Sequence, residues 1–258
     1  MKKLICLDIE VYPNYFLLAI KGLESGKLIT FDTQTKLAPQ DKRGIHKVLR
    51  SYISFGYNSS RYDMPLIQCM LNGDSCKDLY SKSKKLIQDR VPHWRIVEMT
   101  EDWDHIDIKE PAPAVMISLK NYGTRLGSKK LWDLPFDPHI PLKDSEIKTL
   151  NAYCENDLDT TIDLYHSIKH RIDLRGELSA QYRTDLRSKS DAQIAEAVFV
   201  KELRYKGKPP ELPKNYRATY KPPSCVYFET DDLNELLTDI TAVRFEVGAN
   251  GSVKMPME

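Results

Sequence analysis

The chain has 258 residues, of which 41% are hydrophobic and 29% charged, and its net charge is +1. That length and apolar content suit one sizeable core, or one domain with an appendage, and exclude a disordered or fibrous chain. The near-neutral balance excludes a global electrostatic pull on nucleic acid, no apolar run approaches the roughly 18 residues of a membrane span, and five cysteines with no C-x-x-C pair exclude a disulfide framework or a zinc site.

Met1 to Leu7 has the look of a short leader, but Asp8 and Glu10 interrupt its apolar run. With no targeting signal, the expected location is the cytoplasm, or the host cytoplasm for a phage-encoded chain. Leu4 to Val11 reads as a strand buried on both faces, apolar except at Asp8 and Glu10. Tyr12-Pro13-Asn14 makes a turn. Tyr15 to Ile20 and Lys27 to Phe31 follow as strands split by Gly22 and Gly26, an antiparallel meander. A short helix at 42–51 leads to a strand at Tyr52 to Tyr57, a parallel crossover.

Met64 to Leu71 reads as a helix with Pro65 in its first turn and Asn72-Gly73 at its end. A basic helix spans 76–90, His105 to Ile108 alternates as a strand, and Ser118 to Leu126 is a helix stopped by Gly127. A long helix is expected from Ser145 to Arg171. The fold class is therefore α/β, a mixed sheet flanked by helices. The domain is expected to end near residue 175, with a mixed extension at 176–258. There, Ser190 opens a capping box for a helix reaching Tyr205, a proline- and lysine-rich loop exposes Lys206 to Pro223 to protease, and 231–240 is helical. Val243 to Val247 and the residues after Asn250-Gly251 suggest a hairpin. Two basic stretches, Lys77 to Arg95 and Arg204 to Lys221, are either phosphate-facing patches or solvated faces.

Three acidic segments carry the chemistry. Asp8 and Glu10, two residues apart on a strand, point to one face. Two carboxylates on the face of a central strand are expensive to bury, and a divalent cation with its preference for oxygen is the simplest compensation. Asp63 follows Asn58-Ser59-Ser60-Arg61-Tyr62 at a strand–turn–helix junction, where an N-cap role competes with a ligand role. Tyr153 and Asp157 are four residues apart on a helix and share a face, at the margin of the stripe formed by Cys154, Leu158, Thr161 and Tyr165.

In this order and spacing, over about 150 residues, the segments resemble the three motifs of DEDD exonucleases. Asp8-Ile9-Glu10 matches the strand motif, and Asn58 to Asp63 matches Asn-x-x-x-Tyr-Asp. Tyr153 to Asp157 matches Tyr-x-x-x-Asp, whose tyrosine marks the DEDDy branch. The wording Tyr-Cys-x-x-Asp is similar to proofreading domains of family B DNA polymerases, particularly phage enzymes.

The resemblance implies a ribonuclease H-like fold and 3′→5′ DNA hydrolysis that releases nucleoside monophosphates. It implies two divalent cations, Mg²⁺ or Mn²⁺, held by Asp8, Glu10, Asp63 and Asp157. Asp8 bridges both, Glu10 and Asp157 serve the one carrying the attacking water, and Tyr153 orients that water. Asn58 steadies substrate. Tyr12 and Tyr62, with Tyr15, Tyr57 and Trp132, are candidate stacking surfaces for a single-stranded or frayed 3′ end, set against a core role. The implied partners are DNA and a DNA polymerase domain or subunit, with no membrane. An RNA 3′-exonuclease of the same superfamily and a catalytically inactive DNA-binding module share the pattern.

Overall fold

The computed structural model describes residues 2–113, 117–128, 130, 132–204, 216–247 and 253–254. Two compact units are present, 1–204 and 205–258. The first is built from strands β1 (Leu4–Tyr12), β2 (Tyr15–Gly22) and β3 (Leu28–Thr33), helix α1 (Pro39–Ser51), strand β4 (Ile53–Gly56) and helices α2 (Asp63–Asn72) and α3 (Cys76–Ile87). It continues with a 3₁₀ turn at His93–Arg95, strand β5 (His105–Asp107) and helices α4 (Leu119–Leu126), α5 (Asp144–Tyr182) and α6 (Asp191–Glu202).

The sheet order is β3-β2-β1-β4-β5. β1, β2 and β3 form the expected antiparallel meander, and β4 and β5 add in parallel. Pro13-Asn14 alone joins Tyr12 to its cross-strand partner Tyr15. Both parallel additions need a crossover, which α1 supplies between β3 and β4, and α2 and α3 between β4 and β5. The helices expected to stop at Gly73 and Gly127 do so, with each glycine in the left-handed region.

β1 has two buried faces, and strand alternation assigns them. Ile5, Leu7, Ile9 and Val11 pack into one cluster with Ile45 and Leu49 of α1, Leu66, Ile67 and Met70 of α2, and Leu79 of α3. Cys6 and Tyr12 face the other way, into a cluster with Phe55, Ile106, Tyr122 and the inner stripe of α5: Leu150, Cys154, Leu158, Leu164 and Tyr165. Asp8 and Glu10 share that second face, so β1 presents both carboxylates toward α5.

α5 is anchored at its start by Asn14. The Asn14 carboxamide donates to the Leu142 carbonyl at 2.8 Å and accepts from the Leu142 N–H at 2.7 Å, mimicking one rung of a sheet. Farther along, Lys21 of β2 holds Glu155 at 3.2 Å and Asp159 at 2.6 Å.

The first unit runs beyond the boundary expected at residue 175, and α5 beyond its expected end at Arg171. α5 continues to Tyr182, and the next turn folds back against it. The buried Arg175 guanidinium donates to the Lys189 carbonyl and to Asp191. Leu186 is buried, Arg187 pairs with Asp104 at 2.7 Å, and the Ser188 hydroxyl accepts from the Asp107 N–H at 2.9 Å. These contacts tie 183–191 to the sheet, and the division falls at 204/205.

The second unit carries β6 (Arg217–Thr219), α7 (Asp231–Ala242), β7 (Arg244–Val247) and β8 (Val253–Lys254), with a sheet of order β6-β7-β8. β7 and β8 pair antiparallel, as a hairpin requires. The Asn250-Gly251 turn lies outside the described residues, as do Lys206, Lys208 and Lys214 of the second basic stretch and the first part of the proline-rich loop. Among the described residues, no helix is long and apolar enough to cross a membrane.

Candidate active site

Each of the three acidic segments reaches one end of the sheet for a local reason. β4 pairs with β1 only from Leu4 to Cys6 and ends at Gly56. β1 therefore runs past its parallel neighbour and leaves its edge open beside Asp8, Ile9 and Glu10. Asp63, in the first turn of α2, fills that edge: its Oδ1 accepts the Ile9 N–H at 3.2 Å. The N-cap position belongs to Tyr62, with no side-chain cap, so the carboxylate of Asp63 serves the strand and not the ordinary capping role. α5, crossing the other face, brings Tyr153, Cys154 and Asp157 to the same end.

Asp8, Glu10 and Cys154 place one ligand atom each within 4.8 Å of one another. The Cys154 thiol donates to Asp8 Oδ2 at 3.5 Å. Burial and the surrounding acids push this thiol well above its usual range, so it stays protonated and acts as a donor to Asp8.

The acids raise one another. Burial, then the charge of Asp157, pushes Asp8 up to about 7, against the opposing Cys154 and Ile9 hydrogen bonds. Burial, then Asp8, Asp157 and Asp63, raises Glu10. Burial, then Asp8 and Asp107, raises Asp63. Asp157 is raised by burial and drawn back by hydrogen bonds from the Tyr153 and Asn156 side chains. The Tyr153 hydroxyl is pushed far above its usual range by burial and by Asp157.

Among the described residues, no lysine or arginine pairs with Asp8, Glu10, Asp63 or Asp157. Their repulsion is uncompensated by the chain. Four carboxylates with no protein counter-charge could hold a hard divalent cation, whose preferred ligands are oxygens. Asp8 and Glu10 form a tight group with Cys154, which Asp63 and Asp157 do not join.

The proposed substrate contacts fall into two sets. Asn58 lies in the turn after β4 in the left-handed region, φ 60°, and its Oδ1 accepts from Lys109 Nζ at 3.0 Å. Tyr62 is half-buried against the core, and its hydroxyl bonds Ser83 at 2.8 Å. Tyr12 is not a stacking surface: it is 1% exposed, and its hydroxyl donates to the Phe136 carbonyl at 3.3 Å. Its even position on β1 turns it into the core under α5. Tyr15 is equally enclosed and donates to Asp32 at 2.7 Å. The Tyr57 hydroxyl donates to the Ile117 carbonyl, and Trp132 lies under the Lys130 ammonium.

Two polar residues at the site carry no motif in the sequence. Asp107, at the end of β5, is buried and accepts the N–H groups of Asn58 at 2.9 Å, Ser60 at 3.0 Å and Lys109 at 3.0 Å. His105 lies between Ser54 at 2.9 Å and Ser59 at 2.8 Å, and burial lowers its pKa to about 3, so it is neutral. Together they fix the turn that delivers Asp63. The only prior signal was alternation in His105-Ile106-Asp107-Ile108, which marks a strand and no site. Compared with models of known protein families and with curated proteins, the chain matches neither a family model nor a curated relative.

Proposed function

We propose that the chain is a metal-dependent 3′→5′ DNA exonuclease of the DEDDy proofreading type, on a ribonuclease H-like fold. The observation that carries this reading is the convergence of Asp8, Glu10, Asp63 and Asp157, with Tyr153, from segments up to about 150 residues apart, onto one end of the sheet. The strand order, with three antiparallel strands followed by two parallel additions, supports the fold assignment. The 3′→5′ direction and the preference for DNA rest on the motif resemblance.

Two divalent cations, Mg²⁺ or Mn²⁺, would supply charge stabilisation for the attacking and leaving oxygens of an in-line phosphoryl transfer. Asp8, at the centre of the set, would bind on both sides, with Glu10 and Asp157 on one and Asp63 on the other. The Ile9 N–H holds the Asp63 carboxylate in place, and Cys154 holds Asp8 by its thiol proton. Tyr153 keeps its proton at neutral pH, because burial and Asp157 both oppose ionisation. Its hydroxyl therefore orients a water molecule by hydrogen bonding and does not remove a proton from it.

The test is incubation with 5′-labelled single-stranded DNA and RNA, with Mg²⁺ or with a chelator. A DNA ladder shrinking from the 3′ end only with metal is the expected result. A ladder on RNA alone would assign an RNA exonuclease, and binding without cleavage a DNA-binding module.

A further inference from the structure

The turn between β4 and α2 holds a cation that the acidic site does not use. Asp107 gathers three backbone N–H groups, from Asn58, Ser60 and Lys109, at 2.9–3.0 Å. This holds Asn58 in the left-handed region, φ 60°, and fixes the Lys109 backbone beside the turn. Lys109 Nζ then donates to Asn58 Oδ1 at 3.0 Å.

The bond has a chemical consequence. A carboxamide has two N–H donors and an acceptor oxygen with two lone pairs, and here one of those lone pairs is taken by an ammonium. The Asn58 NH₂ group and the other two protons of Lys109 remain to a ligand as donors. Among the described residues, the Asn58 carboxamide nitrogen has no hydrogen-bond partner, and Lys109 has no carboxylate within ion-pair distance. Both residues are half-buried, and the unpartnered Asn58 amide nitrogen is not among the buried unsatisfied atoms. The neighbouring cation, Arg61, is by contrast paired with Glu110 at 3.1 Å.

The position matters as much as the chemistry. Asp63 follows this turn by a few residues and feels the charge of Asp107. A donor-rich pair carrying one positive charge beside a cluster of acids is complementary to a phosphate whose neighbour lies among those acids.

We propose that Lys109 and the Asn58 carboxamide form a phosphate-binding subsite for the backbone of single-stranded nucleic acid, with Asp107 as its positioning residue. The subsite rests on the nuclease reading and adds to it a substrate contact on β5's end of the site. It takes the phosphodiester by charge and donor count, so it reads no base.

The test uses the full chain and a fluorescein-labelled oligothymidylate. Binding is measured by anisotropy with Ca²⁺ over a NaCl series, and cleavage with Mg²⁺. Lys109→Ala is expected to raise KM about tenfold, the loss of one charge-assisted hydrogen bond, with kcat unchanged. Its log K against log salt slope should shrink by about 0.7, one phosphate contact on a single strand. Lys109→Arg should restore both. Asn58→Gly, which suits the left-handed backbone, should raise KM in the same direction. A Lys109→Ala protein that cleaves with wild-type KM and salt slope overturns the subsite and leaves the nuclease reading standing. A Lys109→Ala protein with a lowered melting temperature that Lys109→Arg does not restore also overturns it, since the residue is then structural. A wild-type chain that neither binds nor cuts the oligonucleotide overturns both.

Discussion

At the scale of single residues, the raised carboxyls make metal-free stability depend on pH. An unfolded aspartate titrates near 3.9, whereas folded Asp8 is pushed up to about 7. Between those values the native state binds the extra proton, so the stability present below about pH 4 is lost as pH rises through 7. For Asp8 alone this loss is on the order of a few kcal/mol. In a chelator, the melting temperature should therefore be lower at pH 8 than at pH 5. Asp8→Asn should raise it at pH 8 and leave it unchanged at pH 4, and the same variant should lose activity by orders of magnitude with Mg²⁺. An Asp8→Asn protein that cuts DNA at the normal rate would remove Asp8 from the site. Tyr153→Phe tests the hydroxyl separately: turnover should fall roughly 10-fold to 10³-fold with oligonucleotide affinity kept, and a loss of affinity at normal turnover would make Tyr153 a packing residue instead. The shared faces of Asp8 with Glu10 and of Tyr153 with Asp157 were legible in the sequence, because spacing of two on a strand and four on a helix fixes them, whereas Asp63 was singled out only by the motif resemblance. Asp107 and Cys154 were not legible, because a lone acid at a strand end and a cysteine in an apolar stripe look the same whether or not they touch a site. Tyr12 was misread as a stacking surface for a related reason: its even position on β1 turns it inward, and composition alone cannot say on which side α5 lies.

At the scale of elements, the site depends on how closely the end of β4 approaches β1. A Cβ at Gly56 would lie 2.8 Å from Ser59 Cβ and 3.0 Å from the Leu7 carbonyl oxygen. Ser59 is buried, holds His105 through its hydroxyl and accepts the Met64 N–H at 2.9 Å through its carbonyl. Neither neighbour can yield without moving the turn before Asp63 or the backbone before Asp8. Gly56→Ala should cost about 1–3 kcal/mol, as overpacking does. It should also lower kcat by displacing Asp63 relative to β1. Thermal melts and turnover with Mg²⁺ would check both, and an alanine variant with wild-type melting and rate would mean that the turn absorbs the methyl group freely. The elements themselves were largely legible, since turn residues such as Pro13-Asn14 and Asn72-Gly73 punctuate runs of clear period. The last turns of α5 were not. Beyond Ile172 the inward position is filled by Arg175, whose burial depends on partners 14 and 16 residues farther on. β6, three residues long, is set by pairing with β7 and leaves no periodic trace.

At the scale of the molecule, the chain divides where contacts stop and not where the acidic motifs end. The acidic motifs finish at Asp157, and a boundary just after them, near 175, is natural when sequence is the only guide. The structure instead makes 183–191 part of the sheet's support. Ser188 takes the N–H of Asp107, Arg187 pairs with Asp104 before β5, and Leu186 is buried. Deleting this segment would leave Arg175 buried beside lost partners and remove a hydrogen bond from the residue that shapes the Asn58 turn. Losing its partners would leave the buried arginine's charge less well compensated, against a typical domain's total of about 5–15 kcal/mol. A chain cut after residue 204 is therefore expected to keep a cooperative melt and its metal-dependent cleavage, because the first unit closes without 205–258. A chain cut after residue 175 is expected to melt at a markedly lower temperature and to lose activity, with Arg175→Ala in the full chain shifting the melt in the same direction. Circular dichroism melts and the DNA ladder on both truncations would decide the point. If the 1–175 chain matched the 1–204 chain in melting and in rate, the contacts of 183–191 would be incidental to the fold, and the shorter boundary would stand.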